Sequence, residues 1–106
     1  MAFTLKTLNA FEMMHRTAAC EIPTTRQGHR AFVGVCPPLP EKEIQKWRLR
    51  KFEIPEALID KYFGEEDLVD SHFVRLDTLE EVESLMASWH IDCSLLDAPW
   101  KCDYPL

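Results

Sequence analysis

The stretch Asp77-Thr78-Leu79-Glu80-Glu81-Val82-Glu83-Ser84-Leu85-Met86-Ala87-Ser88-Trp89 decides how the rest of the chain is read. Thr78 and Glu81 form the S/T-x-x-E pattern of a capping box, and Asp77 stands beside what would be the positive end of the helix dipole. Leu79, Val82, Leu85, Met86 and Trp89 recur at helical steps and fall on one stripe. The pattern predicts a helix over 78–89. Its other face carries Glu80, Glu81, Glu83, Ser84 and Ser88, so it packs on something and turns an acidic surface to water.

A helix with one apolar stripe needs a partner layer, and the sequence upstream supplies strands. In Ser71-His72-Phe73-Val74-Arg75-Leu76, Phe73 and Arg75 alternate with Val74 and Leu76. Lys46-Trp47-Arg48-Leu49-Arg50-Lys51-Phe52 sets Trp47 and Leu49 against Arg48 and Arg50, and the alternation fails near Phe52. Arg30-Ala31-Phe32-Val33-Gly34-Val35-Cys36 is apolar on both faces, which suits a central strand. Between two of these strands, Pro55 at a helix-starting position, Gly64 at a stop, and Leu58, Ile59, Tyr62 and Phe63 on one face predict a second helix over 55–63. At the N-terminus Phe3 and Leu5 alternate, while Leu8, Phe11, Met14 and Ala18 keep helical steps and Asn9 could cap; the reading taken is a strand over 2–7 followed by a helix or a second strand. Pro37-Pro38-Leu39-Pro40 is an extended break, and 24–29 is an exposed polar loop.

Together these elements predict an α+β fold: one small domain over 1–106, with a mainly antiparallel sheet and two or three helices. The expected core includes Leu58, Ile59, Phe63, Val82, Leu85 and Trp89. At 46% apolar and 28% charged residues the chain can bury a core and is too apolar for wholesale disorder. No secretory leader and no apolar run of membrane-spanning length is visible, so the expected compartment is the cytoplasm. There Cys20, Cys36, Cys93 and Cys102 are expected to be reduced.

Charge is divided between the halves. Residues 1–51 hold nine Lys/Arg and four Asp/Glu, and residues 52–106 hold three and fourteen, for an overall charge of −6. A field of one sign attracts a basic partner and repels nucleic acid and anionic membrane. The basic run Lys46, Arg48, Arg50 and Lys51 does suit phosphate, but alternation sends Trp47 to the other face, so this strand is read as neutralising acids of the same molecule.

Signatures of chemistry are missing. His90-Ile91-Asp92-Cys93 has no second ligand cluster to complete a zinc site, and a helix C-terminus explains His90 better. Glu65-Glu66-Asp67 lacks the alternating ligands and mid-loop glycine of a calcium loop. Gly28, Gly34 and Gly64 match neither nucleotide-binding spacing. A small Cys/His hydrolase, or a nuclease using His15 and His29, remains an alternative without a local motif, and so does an accessory protein of other partners.

An acidic, motif-free chain of this size resembles the immunity proteins of bacterial polymorphic toxin systems, including those of contact-dependent growth inhibition. That resemblance lies in size, charge and lack of motif across the whole chain, and it carries over no residue. It implies a cytoplasmic antitoxin, a toxin inhibitor that binds a basic nuclease domain and needs no cofactor or metal. From the charge pattern itself, the residues expected to bind such a partner are Glu65, Glu66, Asp67 and Asp70. In the apolar tail they are joined by Trp100 and Tyr104, with Asp97 and Asp103 beside them.

Overall fold

The computed structural model describes residues 2–106. Four strands, β1 (Ala18–Ile22), β2 (His29–Cys36), β3 (Trp47–Pro55) and β4 (Val69–Leu76), form one antiparallel sheet in the order β1-β2-β3-β4. Helix α1 (Leu5–Met14) precedes the sheet and α2 (Leu79–Ser88) follows it. The fold is α+β, as the alternating strands and the capped helix imply. No helix among the described residues is long and apolar enough to cross a membrane.

Helix α2 starts as its capping residues require. The Thr78 hydroxyl accepts the Glu81 N–H at 3.2 Å and donates to the Glu81 carboxylate. Val82 and Met86 are fully buried, while Leu79, Leu85 and Trp89 pack half-buried around them. Strand β2 is enclosed on both faces and lies inside the sheet.

Strand β3 explains why its own alternation fails. Trp47 and Leu49 face the helices, where Leu49 joins Val33, Val35, Cys20, Phe11, Val82 and Met86 in the larger core. Arg48 and Arg50 face the other way, and so do Phe52 and Ile54, which join Phe32 in a second, smaller core. The apolar residues thus change sides half-way along the strand. At that point β4 carries an extra residue, since Lys51 pairs with His72 but Glu53 pairs with Val69. Asp70 absorbs the bulge with a left-handed φ of 50°, which an aspartate tolerates better than most residues.

Two sequence expectations fail here. Residues 55–63 form no helix: Pro55 ends β3 in extended conformation opposite His29, a short 3-10 turn follows at Glu56–Leu58, and Gly64 is extended with φ −114°. So few residues between Pro55 and Gly64 fall below the length at which a helix is stable alone. Prolonging β3 instead buries Ile54 and adds sheet hydrogen bonds. Leu58, Ile59 and Phe63 still pack on the second core, whereas Tyr62 points fully into solvent. The strand over 2–7 is likewise absent. Thr4, not Asn9, caps α1 by accepting the Thr7 N–H at 3.2 Å, and the helical spacing of Leu8 and Phe11 prevails because Phe11 packs edge-on against Phe3 and Trp47.

The tail closes the molecule. Leu96 is buried, the backbone of Asp97 exchanges two hydrogen bonds with Ala19 of β1 (2.8 and 2.9 Å), and Tyr104 lies across Phe32 and Phe52. Gly34 permits this, because a Cβ there would overlap the Tyr104 phenol. Gly34→Ala should therefore lower unfolding stability by about 1–3 kcal/mol, the usual cost of overpacking. In denaturant titrations its effect should shrink in a Tyr104→Ala background, since the two sites share one contact. Equal effects in both backgrounds would contradict the packing.

Candidate functional site

The strand order leaves β1 and β4 at the edges, but the two edges differ. The Asp97 backbone covers part of β1, whereas β4 pairs only with β3. Residues 65–83, which lead into β4, form it and begin α2, carry eight carboxylates against one Lys/Arg, Arg75, and one histidine, His72. The open edge of the sheet is thus also its most acidic part. Between β4 and α2 runs a shallow groove of about 570 Å³ with Val74, Leu76 and Leu85 as its apolar residues and Glu80, Glu81, Ser84 and Ser88 along its rim.

The expected partner-binding residues fall into two groups. Glu65, Glu66 and Asp67 form a 3-10 turn directly before β4, and Asp70 is its bulge. Much of this acid is already in use. Glu65 pairs with Arg50 at 3.1 Å, Asp70 with Arg26 at 3.0 Å, and the Asp67 carboxylate accepts the Gly64 N–H. Asp77, at the far end of β4, pairs with Lys46. Glu66 and Glu80 are exposed and have no ion pair among the described residues. Exposed pairs of this kind contribute little stability and are readily exchanged for a partner's cations.

Asp97, Trp100, Asp103 and Tyr104 lie elsewhere. Trp100 is 69% exposed at the mouth of a 290 Å³ cleft against α1, beside Met14, Ala10 and Pro99. The Ala98 amide and the Lys6 ammonium hold Asp97 below the ordinary carboxylate range, and Lys101 adds a contact at 3.4 Å. Asp103 joins Glu21 on Arg30. Tyr104 is packed between the second core and Gly34, so its ring serves the fold and is not free to anchor a partner. Trp100 borders β1 and the acidic group borders β4, at the two opposite edges of the sheet order. The fold does not bring the two groups together.

The basic strand neutralises acid only in part. Arg50 meets Glu65, but Arg48 and Arg75 have no carboxylate partner among the described residues. The sequence carried signals for the strand faces but none for this pairing, because which β4 residue lies opposite Arg48 depends on register.

Three of the four thiols, Cys20, Cys93 and Cys102, are poorly poised for nucleophilic chemistry. Burial pushes Cys20 up to about 12 and Cys93 up to about 11, and Cys102 is raised for the same reason. A nucleophile needs the reverse shift. His90 sits past the end of α2, where its N–H reaches the Ala87 carbonyl, while Asp92 accepts the Ser94 N–H and Cys93 faces Met86 in the core. The described residues contain no cluster of three or more groups able to hold a metal ion.

The chain matches no family model, no curated protein and no solved structure.

The thiols give a pH prediction. A Cys20 or Cys93 side chain held protonated in the fold ionises near pH 9 once unfolded, so above that pH the unfolded state binds fewer protons and stability falls as pH rises. Denaturation midpoints should decline from pH 9 toward 11 in the native protein, and less in Cys20→Ala. Under native conditions alkylation should reach Cys36 and Cys102 before Cys20 and Cys93. Early modification of Cys93 would contradict its burial.

Proposed function

We propose that this chain is a protein-binding module, an immunity protein in the manner of the family it resembles, whose acidic β4–α2 edge docks a basic toxin nuclease domain. The observation that carries the reading is the coincidence of open strand edge, apolar groove and highest negative charge in residues 65–88. Each supports a different part of association. Carboxylates attract a cationic surface from a distance and set the encounter rate. The unpaired backbone of β4 can accept an added strand, and Val74, Leu76 and Leu85 offer apolar contact once water is displaced. A nuclease must present positive charge to hold nucleic acid, so an acidic inhibitor competes for that same surface. The expected setting is the cytoplasm, and the inhibition needs no cofactor.

Reversing exposed charge at both ends of the edge, with Glu66→Lys and Glu80→Lys together, should slow association with the co-purified partner about tenfold at low salt, with a smaller effect at high salt. Trp100→Ala, on the other edge, should leave both rates unchanged. Surface plasmon resonance at two salt concentrations, with circular dichroism confirming the folds, makes the comparison. Faster dissociation of Trp100→Ala with unaltered association of the double reversal would move the interface to β1 and overturn the reading.

A further inference from the structure

The cleft beside Trp100, at the β1 side of the sheet, is a feature that the acidic β4 edge does not explain. Its space exists because three alanines from three parts of the chain, Ala10 of α1, Ala18 of β1 and Ala98 of the tail, stand where larger side chains would fill it. Met14, Pro99 and Trp100 complete the apolar wall, and Met14 and Trp100 remain exposed. Fixed contacts hold the walls in place. The Thr7 hydroxyl donates to the Leu96 carbonyl at 2.9 Å, and the backbone pair of Ala19 and Asp97 ties the tail to β1. A largely apolar cleft that is formed before any ligand arrives, with a few polar groups at its border, is the usual form of a small-molecule site.

The charges around this cleft oppose those of the molecule. Lys6, Arg16 and Lys101 line it against one carboxylate, Asp97, on a chain of net charge −6. Asp97 is already engaged at both oxygens: Oδ1 accepts from the Ala98 amide at 2.7 Å and meets Lys6 at 3.0 Å, and Oδ2 meets Lys101 at 3.4 Å. Arg16 is not drawn into this network. The left-handed turn at His15 (φ 50°) and the bond from the Arg16 N–H to the Ala10 carbonyl (3.0 Å) fold the chain back over the end of α1 and bring Arg16 to the cleft. Its guanidinium makes no ion pair and no hydrogen bond among the described residues. The negative end of the α1 dipole favours a cation at this position but takes up none of those donors. A guanidinium with its fork unspent beside an apolar cavity matches a carboxylate attached to an apolar body.

We propose that this cleft binds a small apolar carboxylate, an aromatic or aliphatic acid, with Arg16 on the carboxylate and Met14, Pro99 and Trp100 against the body. At 290 Å³ the cleft has roughly twice the volume of a cavity of about 150 Å³ that holds one benzene ring, so a ring with a short acid chain fits and a long lipid does not. The site lies apart from the β4 edge and does not depend on the docking proposed there.

The test uses the whole chain labelled with ¹⁵N and follows the indole N–H of Trp100, assigned by its loss in Trp100→Phe. Phenylbutyrate, octanoate, the neutral phenylbutyramide and sodium acetate are titrated separately into the low millimolar range at constant ionic strength. The Trp100 signal should shift and saturate with phenylbutyrate or octanoate, about tenfold more weakly with the amide, and not saturate with acetate, which has no body to cover the wall. Saturation by either acid supports the site, and the tighter of the two identifies the body as aromatic or aliphatic. Arg16→Gln should weaken acid binding about tenfold and leave the amide unchanged, a contrast that loss of the fold would not produce. Ala10→Leu, a substitution a helix tolerates, should fill the cleft and remove both responses while circular dichroism stays the same. Glu66→Lys with Glu80→Lys should change neither response, which separates this site from partner docking. Equal affinity for acid and amide, a response indifferent to Arg16→Gln, or no saturable response to either acid would each overturn the proposal.

Discussion

The pairing of β2 with β3 is the constraint on which the rest of the structure depends. In this pairing Val35 lies opposite Leu49 on the helix side of the sheet, and Phe32 lies opposite Phe52 on the other. A shift by one residue would send Leu49 out and the arginines in, so the register is fixed by both faces together. Because the apolar residues of β3 change sides half-way, two cores are needed, and each recruits a different part of the chain. Helices α1 and α2 cover the first. Tyr104 and the irregular residues around Leu58, Ile59 and Phe63 cover the second. What neither layer covers is the outer edge of β4.

The charge division of the sequence is largely folded into local pairs. Arg26, Arg30, Lys46 and Arg50 from the basic half each meet a carboxylate from the acidic half. Glu66 before β4 and Glu80 on α2 are exposed acids left without an ion pair among the described residues. In the proposed docking, attraction rests on Glu66, Glu80 and their neighbours beside an unfilled strand edge, not on the sum over the chain.

Much of the architecture was legible because it rests on local periodicity. The α2 cap at Thr78, the double-sided burial of β2 and the break in alternation at Phe52 were all visible, and the last of these marked the point where the core changes face. Residues 55–63 misled because their spacing reports burial, not backbone: Leu58, Ile59 and Phe63 do pack, but as an irregular cover over Phe32 and Phe52. The N-terminus misled for the opposite reason, since alternation of only two residues, Phe3 and Leu5, competed with a longer helical spacing. For the candidate site, the acidic residues before β4 could be named from charge alone. The structural role of Tyr104 could not, because its contact with Gly34 joins residues seventy positions apart in the chain. That Arg48 lies opposite Arg75 was hidden for the same reason, a product of register that no single segment encodes.

Amide hydrogen exchange of the isolated chain tests the central claim, a sheet covered at Ala19 of β1 and open along β4. Amides of β2 and β3 should exchange only through global unfolding. In β4, alternate amides from Val69 to Leu76 should exchange far faster than their neighbours, since every second N–H points away from β3. Ala19, bonded to Asp97, should be protected on its outer side. Uniform protection along β4, or rapid exchange in β3, would contradict this account.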